Sequence, residues 1–315
     1  MLVSSLIFIV SLLILLVSAR FFTGAAERLG LHFGLSSFVI GVFIVGIGTS
    51  LPELVAGLLA GLAGNSEIVS GNVLGANISD IFLILGLIPV LSWRGLELGA
   101  DYIMVDLNFL IGSSLMLGLV MMDGEITFSE GIFLLAAYAI YGLFLLRSSR
   151  HPLLETHGTN PPIKNVFPVK ALLILLTSGF SIYFGADHTV ESIIEIANHL
   201  DVPPSFISLT VLSLGTTLPE LAVGITAIRQ GKSAIAVGNI LGSCVFNALV
   251  IPGAVSGIGP IQVPEYLISF SLPVFVVASL LFYLLTQDKK ISPSEGLLFL
   301  VFYAFFISKA LASFI

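Results

Sequence analysis

Charge is scarce in this sequence: Asp, Glu, Lys and Arg make up 10% of its 315 residues, against 57% hydrophobic. A soluble domain of this length carries roughly a quarter charged residues. With a mean hydropathy of +1.09, a water-facing globule is excluded. Cysteine occurs once, at Cys244, which excludes an intrachain disulfide. Inside an apolar run a lone thiol reads as a small apolar residue. Neither His-Glu-x-x-His nor Gly-x-Ser-x-Gly occurs, and no histidine lies at mid-depth in an apolar run to serve as a base. Nothing therefore suggests a hydrolase or any other enzyme, and no cofactor is expected. No basic cluster is interleaved with aromatics, and the formal net charge is −7, so nucleic acid is not an expected partner. The first apolar block has no basic segment ahead of it and is too long for a signal peptide.

What is present is apolar sequence in long blocks. Leu2–Phe22, Ser36–Leu62, Ile68–Leu91, Tyr102–Met122 and Phe128–Leu146 each suffice to span hydrocarbon, which takes about 20 residues. Phe167–Ala186, Ser205–Ile228, Ser233–Ile258, Tyr266–Thr286 and Gly296–Phe314 repeat the pattern after a polar stretch. The expected fold class is an all-α membrane protein of ten transmembrane helices. The loops after odd-numbered spans collect Arg20, Arg28, Arg94, Arg147, Arg150, Lys164, Lys170, Arg229, Lys232, Lys289 and Lys290, while the other side holds Lys309. By the positive-inside rule the basic side faces the cytoplasm, and both termini lie outside a cell membrane. The outer side is acidic, with Glu67, Asp123, Glu125, Asp187, Glu191, Glu195, Asp201 and Glu265. The four-residue spacing of Asp187, Glu191 and Glu195 puts them on one helical face, which is most simply a solvated helix end.

The chain repeats itself. Gly48-Thr49-Ser50-Leu51-Pro52-Glu53 returns as Gly215-Thr216-Thr217-Leu218-Pro219-Glu220, and Gly71-Asn72-Val73-Leu74-Gly75 as Gly238-Asn239-Ile240-Leu241-Gly242, both at an offset of 167 in the numbering. Ser129-Glu130-Gly131 returns as Ser294-Glu295-Gly296 at an offset of 165. Five spans per half is an odd number, so the second half enters the membrane from the opposite side, giving two inverted-topology repeats. The predicted organisation is a first five-helix repeat over 1–147, a cytoplasmic linker over 148–166 and a second repeat over 167–315.

The candidate chemistry lies in spans 2 and 7. Pro52 and Pro219 lack an N–H, so the carbonyls of Gly48 and Gly215 lose their helical donors. Beside each break stand two hydroxyls and a glutamate: Thr49, Ser50 and Glu53, then Thr216, Thr217 and Glu220. Freed carbonyls at membrane depth are tolerated only where protein or a water-filled cavity covers them. An ionised carboxylate there costs about 3 kcal/mol or more, and no Lys or Arg lies at comparable depth. Either protons or a cation must neutralise the pair. Spans 3 and 8 add Asn77 and the acid Asp80 in the first half, and Ser243 and Asn247 in the second. The resulting all-oxygen set suits hard cations and offers nothing to soft metals, with no histidine or thiolate beside the glutamates. A proline kink or a Gly-xxx-Gly pair alone would mark only helix packing; their recurrence in register with a carboxylate marks an ion site.

These paired motifs resemble the two alpha-repeats of the cation/Ca2+ antiporter superfamily, nearest its prokaryotic Na+/Ca2+ exchanger branch. The resemblance covers nearly the whole chain. It implies four ion sites at the centre, with Glu53 and Glu220 as the main Ca2+ ligands, helped by carbonyls near Thr49 and Thr216. Hydroxyls of Ser50, Thr216, Thr217 and Ser243 would help to bind Na+, and Asp80 and Asn247 would occupy the middle. Spans 1 and 6 would slide across the other eight. Two departures stand out. Ala76 replaces a serine familiar in the first half, and the acid and amide appear as Asp80 then Asn247, the reverse of the familiar order. The expected activity is exchange of Ca2+ against Na+ by alternating access. Ca2+/H+ antiport by the same glutamates is the alternative, and an uncoupled cation channel is a weaker rival. The expected partners are Ca2+ and Na+ (or H+) as transported ions and the lipid bilayer, with no obligate protein partner.

Overall fold

The computed structural model describes residues 1–33, 46–92, 95–98, 103–148, 168–229 and 233–312. The expected linker lies almost wholly outside the described residues, as does the stretch 34–45 that begins the second expected span. Nearly all of the rest is helix. The helices are α1 (Leu2–His32), α2 (Gly46–Thr49 and Leu51–Leu62), α3 (Glu67–Ser92), α4 (Ile103–Met121) and α5 (Phe128–Ser148). They continue with α6 (Val169–Leu200), α7 (Pro204–Thr216 and Leu218–Arg229), α8 (Ser233–Val255), α9 (Leu267–Leu285) and α10 (Pro293–Ala312). Among the described residues eight helices are long and apolar enough to cross a membrane, and two further apolar helices, Leu51–Leu62 and Leu107–Met121, are shorter. This is a multi-pass membrane protein.

Burial sorts the helices into layers. Most of α3 and α8 is enclosed by protein, whereas α1, α5, α6 and α10 leave most of their apolar surface outward. Leu2, Leu6, Leu13, Val17 and Phe21 of α1 are all exposed, as are Leu173, Leu176 and Phe180 of α6, as hydrocarbon-facing side chains should be. α1 packs chiefly against α6, more extensively than any other pair of elements. Their backbones nearly touch where Gly185 meets Leu15, since a Cβ on Gly185 would stand 2.8 Å from the Leu15 nitrogen. Both helices outrun the expected spans, by ten and fourteen residues. Arg20 and Asp187 end the apolar runs but do not stop a helix. α6 ends only where Asp201 takes a left-handed conformation (φ 56°) ahead of Pro203. At 31 and 32 residues, α1 and α6 measure about 46–48 Å.

Four two-residue strands were not expected. β1 (Leu96–Glu97) pairs antiparallel with β4 (Lys290–Ile291), and β2 (Glu125–Ile126) with β3 (Ile261–Gln262). The registers are Leu96 with Ile291 and Glu125 with Gln262. Each ladder is extended by one bond, Leu98 N–H to the Lys289 carbonyl at 2.9 Å and Val263 N–H to the Gly124 carbonyl at 2.8 Å. Leu96, Ile126, Ile261 and Ile291 are fully buried, so each ladder also plugs an apolar gap. Both ladders join an early loop to a late one, and so stitch the two halves of the chain together.

Candidate ion site

α2 and α7 are interrupted at equivalent positions. In α2 the helix lapses at Ser50 (φ −90°, ψ 8°) and restarts at Leu51. In α7 it lapses at Thr217 (φ −84°, ψ −1°) and restarts at Leu218. Pro52 and Pro219 then sit in the first turn of the new helix, where no N–H is needed. The restarted segments are each 12 residues, about 18 Å, or a little over half of a roughly 30 Å hydrocarbon layer. The breaks therefore fall near mid-depth. Glu53 and Glu220 occupy the first turns of these segments, where the positive end of the helix dipole favours a negative or metal-bound carboxylate.

All ten residues singled out from the sequence are buried. Ser50, Glu53, Asn77, Asp80, Thr216, Glu220, Ser243 and Asn247 are fully enclosed, and Thr49 and Thr217 nearly so. The structure brings six of them together. Thr49 Oγ1 lies 3.3 Å from Ser243 Oγ and 3.4 Å from Asn239 Oδ1, and Ser243 donates to Glu220 Oε1 at 3.3 Å. Each threonine approaches the glutamate of the other half, Thr216 beside Glu53 and Thr49 beside Glu220. The charges of Glu53, Glu220 and Asp80 all bear on one another. The other four are enclosed without a described bond to a carboxylate. Thr217 and Asn77 donate to carbonyls of their own helices, those of Leu214 and Val73, while Ser50 and Asn247 make no side-chain hydrogen bond.

What these groups lack is as informative as what they touch. Both carboxylate oxygens of Glu53, Oε2 of Glu220, Oδ1 of Asp80, Oδ1 of Asn77, Oδ1 and Nδ2 of Asn247 and Ser50 Oγ are buried with no hydrogen-bond partner. Buried polar atoms are ordinarily satisfied, and each exception calls for a cause. No lysine or arginine neighbours the three acids among the described residues. A concentration of buried oxygens in the middle of the fold has the chemistry of a hard-cation ligand set. Among the described residues, however, no three acidic, histidine or cysteine side chains converge tightly enough to hold a metal by themselves. Any bound ion must also draw on hydroxyls, amides and the carbonyls at the two breaks.

The halves are not equivalent. Glu220 is anchored by Ser243, whose repeat counterpart in the first half is Ala76, buried and without a donor. Glu53 thus has no counterpart of the Ser243 hydroxyl. Asp80 lies in a π-helical stretch, Ser79–Ile84, that interrupts α3, whereas Asn247 lies in continuous α-helix; π-bulges often mark functional positions.

Two further residues, Asn239 and Cys244, touch the cluster and were not read as ligands. Asn239 meets Thr49, and Asn72, its counterpart in the first repeat, is buried with Oδ1 unpaired. The signal was available, an amide at the same place in both repeats of an apolar segment. Cys244 corrects the reading of an apolar thiol and of a site with no sulfur nearby: its Sγ donates to Asp80 Oδ2 at 3.6 Å.

The close helix contacts expected of Gly71 and Gly75 are present. A Cβ on Gly71 would collide with the Ser205 carbonyl oxygen, and one on Gly75 with that of Leu209. α3 thus lies directly against the first half of α7, and the contact is reinforced by Ser208 donating to the Ile68 carbonyl at 2.7 Å. Gly242 has no such contact among the described residues.

A sequence model of the family described as "Sodium/calcium exchanger protein" matches residues 3–147 and 170–311. Among curated proteins, the chain is 32% identical over 305 residues to inner membrane protein YrbG of Escherichia coli, covering 94% of this chain and 92% of that one. Among solved structures, it is similar to the sodium-calcium exchanger NCX_Mj, with a TM-score of 0.69, 26% identity and 98% of each chain covered. It also shares its fold with an H+/Ca2+ exchanger, CAX, with a TM-score of 0.80 and 19% identity over 98% of this chain and 82% of that one. With both motif-bearing halves inside the matched segments, the chain belongs to the sodium/calcium exchanger protein family.

Proposed function

We propose that this protein is a secondary active antiporter that exchanges Ca2+ for Na+ at a midplane site by alternating access. One observation carries the reading: Glu53 and Glu220, fully buried and near mid-depth, have three carboxylate oxygens without a partner and, among the described residues, no basic neighbour. Two carboxylates match one Ca2+ or more than one Na+, so the two kinds of ion exclude each other from the same charges. In this reading Glu53 and Glu220 are the principal Ca2+ ligands, with carbonyls near Thr49 and Thr216. Ser50, Thr216, Thr217 and Ser243 supply hydroxyls to Na+, and Asp80, Asn247 and Asn77 line the middle. Similarity to a sodium-calcium exchanger at 26% identity over nearly the whole length supports Na+ as the counter-ion.

The architecture we propose is ten spans in two inverted repeats, residues 1–147 and 167–315 joined by a cytoplasmic linker, with both termini outside the cell membrane. Its support is the shared offset of 167 between the starts of α1 and α6, between Ser50 and Thr217, and between the glutamates. The ladders agree with it: exchanging the halves turns the β1–β4 pair into the β3–β2 pair, at an offset of 165. α1 and α6, paired with each other at the periphery, are the elements suited to slide over the rest.

Proteoliposomes loaded with Na+ test the function. They should take up 45Ca2+ when diluted into Na+-free buffer, and Glu53→Gln and Glu220→Gln should each abolish that uptake. Undiminished uptake in either variant would falsify the assignment. Uptake driven by a pH gradient without Na+ would replace Na+ by H+ as the counter-ion.

A further inference from the structure

We propose that Cys244 opens the centre of this protein to soft divalent cations, which bind between its sulfur and the Asp80 carboxylate and block exchange. The block rests on the proposed transport reading; the binding does not.

The two side chains already meet, with Cys244 Sγ 3.6 Å from Asp80 Oδ2. Both are fully enclosed, in helices from opposite halves of the chain. Asp80 keeps its second oxygen, Oδ1, unpaired. The charge of Glu220 reaches both Cys244 and Asp80, and its Oε2 is unpaired too. One helical turn beyond Cys244, on the same face of α8, Asn247 has an unpaired Oδ1. A cation seated at Cys244 and Asp80 therefore lies within reach of the charge of Glu220. Among the described residues, no third acid, cysteine or histidine is close enough to make a tighter cluster.

The placement of the sulfur is one-sided. Cys244 is the repeat counterpart of Asn77, so the same position offers a hard amide in one half and a soft thiol in the other. Thiolate ligands favour soft cations and carboxylates hard ones. On binding, the thiol gives up its proton to water and a metal–sulfur bond replaces the S–H···O contact. Ca2+, a hard ion, gains nothing from the sulfur. Cd2+ is the natural probe, since it has the charge of Ca2+ with an affinity for sulfur.

Because Cys244 is the only cysteine of the 315 residues, a thiolate signal from this chain has one source. Titrating purified protein with Cd2+ should produce an ultraviolet thiolate-to-metal charge-transfer band, absent from Cys244→Ser and Cys244→Ala and weakened in Asp80→Asn. In proteoliposomes, with inhibition measured against each variant's own uptake, Cys244→Ser should raise the half-inhibiting Cd2+ concentration by roughly tenfold or more, as loss of a ligand would. No band in the wild type, or equal Cd2+ inhibition in wild type and Cys244→Ser, would overturn the proposal. A wild type that binds Cd2+ through the thiol but moves no Ca2+ would overturn the transport reading and leave the soft-cation site standing.

Discussion

Glu53 and Glu220 are the same residue twice, yet the protein treats them differently. Ser243 gives Glu220 a hydroxyl donor at 3.3 Å, while its counterpart Ala76 has no hydroxyl to offer Glu53. A single substitution tests what the difference does. Ala76→Ser should supply the missing hydroxyl, as a donor to Glu53 or as an oxygen for a monovalent ion. It should lower the Na+ concentration that half-maximally drives Ca2+ uptake, with little change in the half-saturating Ca2+. A Na+ titration of uptake that superimposes on the wild type would show that the asymmetry has no bearing on coupling. At this scale the sequence was a good guide where chemistry and burial conflict: a charge or amide inside an apolar run has few reasons to be there, and all ten singled-out residues are enclosed. It failed for Asn72, Asn239 and Cys244. The asparagines sit among motif glycines whose packing role explained the motif without them. A thiol is compatible with an apolar surround, so only its distance to Asp80 reveals a polar partner.

Among the elements, α3 and the first half of α7 form a close junction near the site, because glycines let one backbone rest on the other. Gly75→Ala would push a methyl group into the Leu209 carbonyl oxygen and Ser213 Oγ. Overpacking of this kind costs about 1–3 kcal/mol, and here it would also displace the segment leading to Thr216. Ca2+ uptake should fall steeply while the folded protein, followed by size-exclusion chromatography in detergent, persists. The same substitution at Gly242, with no described atom within 4 Å, should be tolerated far better. Equal losses at the two sites would refute the backbone-contact argument. Apolar runs located the helices well, because the bilayer imposes a length that sequence alone can display. They misjudged α1 and α6, whose helical hydrogen bonding continues through polar residues beyond the hydrocarbon. They could not display the π-helical stretch at Asp80 or the two-residue strands, since neither has a periodicity to detect.

For the whole molecule, the contrast between stitched and unstitched parts sets an expectation for movement. Both ladders join helices other than α1 and α6. In a Cys244→Ser background, a disulfide introduced across the β2–β3 ladder at Glu125 and Gln262 should leave exchange intact. A disulfide between Thr23 and Gly48, where α1 meets the α2 break, should arrest it until reduced. Both can be followed by Ca2+ uptake before and after reductant. Arrest by the first, or free exchange with the second, would reassign the moving parts.

The ladders have one more consequence. Each takes one strand from either half, and swapping the halves regenerates the same two pairs. In the proposed inverted-repeat architecture, two identical half-length chains in opposite orientations would meet through these very strands. Being one chain rather than two copies, the protein can differ at matched positions, as identical subunits could not, and it does so at Ala76 and Ser243, Asn77 and Cys244, and Asp80 and Asn247.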